Sequence, residues 1–169
     1  MGKNLSDIPD HYIAPHHQYQ GKVNLNHRFG IVCARFNQRI TKSLLTGALT
    51  AFSDQGFSQD NIHTFWVPGA FEVPVIMNQQ FPAFDAMIAI ACIIKGDTPH
   101  FDFVCQGITQ GIVLANHTHN KPGIFCVLTT NTNQQAEDRA QPNQSNKGYE
   151  AALGAMEMAS LCHQSPAKI

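Results

Sequence analysis

The sequence has 169 residues, a length typical of one compact domain. Hydrophobic residues make up 43% and charged residues 14%, which suits a chain with a buried core and not a disordered one. The formal net charge of -1 gives no broad basic field, so we expect neither nucleic acid nor an anionic membrane as a partner. The longest apolar run, Ala86 to Ile94, is far shorter than the roughly 20 residues that cross a bilayer. Because the amino terminus is also polar and lacks a signal-peptide core, we expect a cytoplasmic protein.

The spacing of cysteines and histidines indicates neither a disulfide framework nor a metal site. Five cysteines form an odd set without a Cys-x-x-Cys pair, which favours buried free thiols. Among the nine histidines, His16 and His17 fall in a polar stretch. His117 and His119 end a predicted helix with no cysteine or carboxylate spaced to join them. We therefore predict no bound metal.

Residues 1–28 are rich in Asn, His, Gln and Pro and show no sustained periodicity. This predicts an amino-terminal arm, whose end could add to a sheet edge, followed by one domain over residues 29–169. Within the domain, apolar periodicity predicts strands that alternate with helices. The predicted strands cover residues 29–34, 61–67, 85–94 and 124–129, and the predicted helices cover about 40–52, 73–81, 101–115, 134–140 and 147–163.

This alternation predicts an α/β fold. Strands separated by helices need right-handed crossovers, which produce a parallel sheet between two layers of helices. The third predicted strand is apolar on both faces, as such a covered sheet requires. Because open parallel sheets bind ligands at the carboxyl ends of their strands, the segments that follow the strands are the candidate site.

The first two of these segments offer an aromatic ring and a rigid turn. Phe36, just after the first strand, can stack on a planar ligand or pack as a hydrophobic staple at the next helix start. After the second strand, two prolines and a glycine surround Glu72. That turn can bind a polyol through its backbone and Glu72, although it is equally compatible with a simple helix start.

The last two segments suggest phosphate binding and proton transfer. Thr98 at a helix start can bind a phosphate group, and nearby His100 carries an imidazole, whose ordinary pKa of about 6.5 suits proton transfer at neutral pH. A capping threonine and a surface histidine are the alternative. After the fourth strand, Arg139 and Lys147 are two further cations for phosphate, unless they only form solvent-exposed pairs with residues such as Glu150.

Six stretches of the sequence, in this order, resemble one enzyme family. They are Arg35-Phe36-Asn37, Val67-Pro68-Gly69-Ala70-Phe71-Glu72-Val73-Pro74, Gly96-Asp97-Thr98-Pro99-His100-Phe101-Asp102, Leu128-Thr129-Thr130, Gln135-Ala136-Glu137-Asp138-Arg139 and Asn146-Lys147-Gly148. The chain resembles lumazine synthase, the penultimate enzyme of riboflavin biosynthesis, over about residues 29–163. The resemblance implies a flavodoxin-like, three-layer α/β/α sandwich with a central four-stranded parallel sheet.

The resemblance also implies a reaction and a set of site residues. The family joins 5-amino-6-(D-ribitylamino)uracil to 3,4-dihydroxy-2-butanone 4-phosphate, without metal or other cofactor, and releases phosphate and water. His100 matches the family's proton-transfer residue. The matching substrate-binding positions are Phe36, Asn37, Ala70, Phe71, Glu72, Cys92, Ile93, Ile94, Asp97, Thr98, Phe125, Arg139 and Lys147.

In this family each site lies between adjacent subunits of a pentamer. By resemblance, Phe36 stacks on the pyrimidine ring, whereas Phe125 and Arg139 reach it and the phosphate from the neighbouring subunit. Homo-oligomers of one pentamer, a decamer or a sixty-subunit capsid are all compatible with the sequence.

The sequence departs from the family pattern at three places. Cys126 stands where glycine usually follows the aromatic residue, and Pro99 directly precedes His100. In addition, Gln141-Pro142-Asn143-Gln144-Ser145 replaces a Gly-Thr-Lys-Ala-Gly stretch and so removes one positive charge beside Arg139.

Two other functions are compatible with the same fold. One is a non-catalytic shell that binds or stores flavin, and the other is the related archaeal-type riboflavin synthase, which consumes lumazine. A response-regulator-like domain would need an acidic cluster after the first strand, which Arg35-Phe36-Asn37 does not provide.

Overall fold

The computed structural model describes residues 20–164, which contain four strands, five α-helices and three short 3-10 helices. The predicted arm lies outside this range for residues 1–19. The strands are β1 (Phe29–Ala34), β2 (Ile62–Val67), β3 (Ala86–Ile94) and β4 (Gly123–Thr130). The helices are α1 (Gln38–Asp54), α2 (Val73–Gln80), α3 (His100–His119), α4 (Asn133–Arg139) and α5 (Lys147–His163).

The sheet is entirely parallel, in the order β2-β1-β3-β4. β1 and β3 occupy its centre and are buried along nearly their whole length, because both of their faces are covered by helices. The chain therefore has the predicted α/β fold with a central four-stranded parallel sheet.

Two apolar clusters pack on opposite faces of the sheet and define three layers. The larger cluster joins the sheet to α1, α4 and α5, with Leu44 and Met156 among its buried side chains. The other joins the sheet to α2 and α3 through residues such as Met77 and Ile108. The predicted α/β/α sandwich is thus confirmed.

The predicted elements agree with the structure in type and differ mainly at their ends. The bounds of β1 match, whereas α1 covers Gln38–Asp54 instead of residues 40–52. α3 ends at His119, the residue expected to close this helix. Polar residues at helix ends add no apolar periodicity, so the sequence pattern cannot locate these ends. No helix within residues 20–164 is long and apolar enough to span a membrane.

Residues 20–28, the described part of the predicted arm, lie against the domain without forming a strand. The Leu25 carbonyl accepts a hydrogen bond from the Asn61 side chain at 2.9 Å, and the Gln20 carbonyl accepts one from the Gln164 side chain at 2.9 Å. Gly21 lies so close to α5 that an added Cβ would be 2.7 Å from the carbonyl carbon of Glu157. This segment therefore bridges the start of β2 and the end of α5.

Candidate functional site

The aromatic ring of Phe36 stands in solvent at the carboxyl end of β1. Its side chain is 72% exposed, so within this chain it does not pack as a hydrophobic staple. The backbone N–H groups of Arg35 and Phe36 donate to the carbonyls of Val67 and Pro68 at 2.8 and 3.0 Å. These bonds continue the β1–β2 pairing past the strand ends and fix the backbone that carries the ring.

Asn37 connects this loop to the central strand β3. Its backbone is left-handed, with φ of 57°, a conformation that asparagine tolerates better than most residues. Its side-chain amide donates to the Cys92 carbonyl at 2.8 Å. Thr41 also holds the loop in place, because its hydroxyl donates to the Ala34 carbonyl at 2.7 Å. Phe36 is therefore presented from a rigid connection between β1 and β3.

The predicted turn between β2 and α2 forms a short 3-10 helix over Ala70–Glu72. Ala70 is buried, whereas Phe71 and Glu72 are exposed. The Phe71 ring lies over Gly107 of α3, where an added Cβ would be 2.9 Å from Cδ2 of the ring and closer still to Cε2. Glycine at this position of α3 lets the turn approach the helix closely, which places its backbone and Glu72 at the same sheet edge as Phe36.

The connection between β3 and α3 holds the residues predicted for phosphate binding and proton transfer. Ile93 is buried and Ile94 half-buried, while Asp97, Thr98 and His100 are all exposed. α3 begins at His100 directly after Pro99, and that preceding residue provides no side-chain cap. The predicted alternative of a capping threonine is therefore wrong. The first turn of a 20-residue helix has backbone N–H groups available for an anion here.

Burial excludes the Cys92 thiol as a nucleophile near neutral pH. Desolvation raises the pKa of this thiol to about 11, so it stays protonated and poorly reactive. Cys92 can contribute to a site through its backbone, as its carbonyl bond to Asn37 already illustrates.

Phe125, Arg139 and Lys147 lie together in a second location, along the edge strand β4. They line a cleft of about 420 Å³ that also contains Thr130 and Glu150. Phe125 is 46% exposed and lies within β4 opposite Ala89, not at the strand end. Its neighbour Cys126 instead points into the core, which explains how a cysteine fits there.

Local contacts position the two cations of this cleft. Arg139, at the end of α4, donates to the Gln135 carbonyl at 2.9 Å. Lys147, at the start of α5, donates to the Glu150 carboxylate at 2.6 Å. The pair is solvent-exposed, so an anion in the cleft can compete for Lys147.

The loop that departs from the family pattern, residues 141–145, is exposed and joins α4 to α5. Asn146 anchors it: its amide group donates to the Gln141 carbonyl at 3.0 Å and to the Ser43 carbonyl at 3.3 Å, and its oxygen caps α5 by accepting from the Gly148 N–H. This anchor fixes both ends of the loop, so the changed loop residues leave the positions of Arg139 and Lys147 defined.

Sequence reasoning missed one buried polar group in the cleft. Thr130 ends β4, is 4% exposed, and its hydroxyl has no hydrogen-bond partner among residues 20–164. A buried hydroxyl without a partner is costly, which makes this group unusual among the residues that line the cleft. The sequence feature that could have identified Thr130 is a threonine at the carboxyl end of a predicted strand.

The structure thus divides the predicted site residues into two groups. One group lies at the carboxyl ends of β1, β2 and β3. The other group lines the cleft along β4, and no residue of the first group lines that cleft. Each group is open to solvent on one chain. Phe36 and Phe125 therefore do not form a common pocket within a single chain.

Comparison with known proteins identifies the family. The family model for 6,7-dimethyl-8-ribityllumazine synthase matches residues 26–163. A lumazine synthase of Clostridium kluyveri is 42% identical over 86% of this chain and 97% of its own length. One from Protochlamydia amoebophila is 44% identical over 87% of each chain, and one from Bacteroides fragilis is 47% identical over 78% of this chain and 93% of its own. The chain belongs to the 6,7-dimethyl-8-ribityllumazine synthase family.

Proposed function

We propose that this enzyme condenses 5-amino-6-(D-ribitylamino)uracil with 3,4-dihydroxy-2-butanone 4-phosphate in riboflavin biosynthesis. The products are 6,7-dimethyl-8-ribityllumazine, phosphate and water. The observation that carries the proposal is the family match over residues 26–163, which includes every segment that follows a strand. The exposed ring of Phe36 supports it, because a flat pyrimidine needs a stacking surface, and the neighbouring Asn37 side chain connects this loop to the Cys92 backbone.

The pyrimidine substrate binds at the carboxyl ends of the first three strands. Phe36 stacks on its ring, and the backbone of Cys92, Ile93 and Ile94 meets its polar edge. The ribityl chain extends along Ala70, Phe71 and Glu72. The Glu72 carboxylate suits this role because it is exposed and accepts hydrogen bonds from hydroxyl groups.

The phosphate substrate binds at the start of α3. Its phosphate lies against the backbone around Asp97 and Thr98, where the helix dipole favours negative charge. Backbone N–H groups and the Thr98 hydroxyl make these contacts, since the Asp97 carboxylate would repel the phosphate. Gly96 leaves open space beside this backbone, because an added Cβ would meet nothing within 4 Å.

His100 transfers protons in the reaction. The amine of the pyrimidine attacks the ketone to form an imine with loss of water, and phosphate then leaves from the position β to the imine to give an enol. The enol becomes a ketone, and attack of the ribitylamino nitrogen on this ketone closes the ring with loss of a second water. Each step moves a proton, and an exposed imidazole at the helix start next to the phosphate is placed to take and return it. No metal or redox step is needed.

A second copy of the chain completes the site. Phe125, Arg139 and Lys147 line a separate cleft in this chain, so we propose that they cover the pyrimidine and bind the phosphate of a neighbouring subunit. A heterologous interface of this kind closes into a ring, and we propose a pentamer or a multiple of it. A lone subunit would then be nearly inactive.

Most of the rate enhancement comes from holding two substrates that already react spontaneously. Proximity and orientation supply about 7 to 11 kcal/mol in favourable cases. We also propose a cytoplasmic location, which the five free cysteines support because thiols stay reduced there.

A fluorescence assay tests the reaction. Mixing the purified protein with both substrates should produce the fluorescent lumazine faster than the substrates form it alone. A shell that only binds flavin would leave the rate unchanged, and a riboflavin synthase would consume added lumazine instead. Either result would contradict the proposal.

Mixing two impaired variants, assayed with the phosphate substrate well below its wild-type KM, tests the shared site. His100→Ala and Arg139→Ala each damage every site of a pure oligomer. After joint refolding in equal amounts, about one quarter of sites in a head-to-tail ring would combine His100 of one subunit with Arg139 of the next. Recovery of wild-type kinetics in that fraction is expected. If the mixture is no more active than the average of the two variants, the site lies within one chain.

A further inference from the structure

Two histidines and an aspartate lie close together at the amino-terminal ends of the strands. This is the end of the sheet opposite the proposed reaction site. His27 precedes β1, Asp85 precedes β3 and His163 ends α5, and one nitrogen or carboxylate oxygen from each lies within 4.8 Å of the others. We propose that these three side chains bind a divalent transition-metal ion, with zinc as the first candidate. The three residues are far apart in the sequence, so their spacing gave no sign of such a site.

The contact between His163 and Asp85 needs a positive charge between the two groups. Nδ1 of His163 lies 2.7 Å from the Ala159 carbonyl, which can only accept, so this nitrogen carries the proton. Nε2 lies 3.5 Å from Oδ1 of Asp85, so either a second ring proton or a metal ion lies between these two atoms. Zinc bonds of about 2.0 to 2.2 Å in a tetrahedral site separate two ligand atoms by about 3.3 to 3.6 Å. The observed separation fits a shared zinc ion.

His27 is a buried histidine with a free nitrogen beside this pair. It is 7% exposed, and its Nδ1 has no hydrogen-bond partner among the described residues. Its ring centroid lies 4.9 Å from that of His163.

Two of the three side chains have a further partner that holds them in place. The Ala159 carbonyl orients His163, and the Arg28 backbone N–H donates to Oδ2 of Asp85 at 2.8 Å. Metal ligands in proteins are held in this way by carbonyls and other polar groups around them.

The donor set favours zinc or a similar ion. Two imidazoles and one carboxylate occur together in zinc sites, with water in the fourth position. Here the His163 side chain is 57% exposed, which leaves room for that water. A bound ion would fasten the segment before β1 to the end of α5. The expected effect is therefore on stability, not on the reaction at the opposite edge of the sheet.

Zinc titration of the full chain, without a histidine tag and after chelator treatment, tests the proposal. The variants are His163→Gln, which changes an exposed side chain at a helix end, and Asp85→Asn, which keeps an oxygen for the Arg28 N–H. His117→Gln, on the exposed part of α3, is the matched control. Because the chain has nine histidines, the measured quantity is the difference in bound zinc between the proteins.

We expect the wild type and His117→Gln to bind about one zinc per chain more than the other two variants. His163→Gln or Asp85→Asn should reduce the zinc affinity of the site at least about tenfold. Zinc should also raise the melting temperature of the first two proteins only. A proton-bridged ion pair without metal predicts equal zinc content in all four, which would overturn the proposal.

Crystals of the wild type soaked in zinc give a test that does not depend on any variant. An anomalous peak between His27, Asp85 and His163 is expected. If zinc peaks occur elsewhere and none lies here, the site does not exist.

Discussion

The contact between α1 and α5 is close enough that one added methyl group should destabilise the protein. Gly148, in the first turn of α5, is buried against α1, and an added Cβ would lie 2.6 Å from the carbonyl carbon of Leu44. Carbon atoms normally approach to about 3.5 to 4.0 Å, so Gly148→Ala would have to separate the helices by about 1 Å. The Leu44 backbone cannot move away from the added methyl group as a flexible side chain could.

The size of the effect follows from this geometry. Overpacking of this kind costs about 1 to 3 kcal/mol, and α5 also carries Lys147 and the Asn146 cap beside the mutated residue. Gly154 lies on the same helix, but an added Cβ there would meet nothing within 4 Å. Gly154→Ala should therefore stabilise the protein by about 0.5 to 1 kcal/mol through helix propensity.

Urea unfolding of the wild type and both variants measures the difference. Circular dichroism should be recorded at one fixed protein concentration, because assembly would couple to unfolding. We expect the two variants to differ by about 1.5 to 4 kcal/mol, on opposite sides of the wild type. Equal midpoints for Gly148→Ala and the wild type would refute the packing argument.

Three further outcomes are expected. His100→Ala should lower kcat by about a hundredfold to ten-thousandfold without abolishing turnover, because the substrates are still held together. An unchanged kcat in the fluorescence assay would contradict proton transfer by His100. Arg139→Ala should weaken binding of the phosphate substrate by about 1.5 to 3 kcal/mol, seen as a raised KM for that substrate alone. Arg139→Lys should recover part of this loss, and an unchanged KM in Arg139→Ala would contradict phosphate binding. Burial raises the thiol pKa of Cys33 and Cys126 to about 12 and that of Cys92 to about 11, from ordinary values of 9.0. Under reducing conditions, these thiols should therefore leave the free energy of unfolding unchanged below pH 9 and lower it above pH 9.

The sign of the pH effect follows from proton binding. Above pH 9 the unfolded chain loses the thiol protons while the folded chain keeps them up to about pH 11 to 12, so alkali favours unfolding. Each thiol contributes up to about 1.4 kcal/mol per pH unit in that window. Cys126→Ala should reduce the slope of stability against pH by up to about 1.4 kcal/mol per pH unit in that window, since it removes one such thiol. An unaltered slope would show that Cys126 is not protected in the folded state.

The sequence predicted where chemistry would lie along the chain. Residues after each strand were identified because parallel strands place their carboxyl ends at one edge of the sheet, whatever the order of the strands. Phe36, His100 and Arg139 were proposed as site residues in this way. The sequence could not show that the Phe36 ring stays exposed or that Asn37 binds the Cys92 carbonyl, since both depend on the neighbouring strand β3.

The sequence by itself determined the order and type of the elements and the α/β class, because strand and helix periodicities are local properties of the side chains. Only the tertiary structure decided which side chains face one another. It set the order β2-β1-β3-β4, separated Phe125 from Phe36, pressed Gly148 against α1, and brought His27 to His163. These contacts join residues far apart in the chain, so they depend on how the layers pack and leave no regular pattern in the sequence.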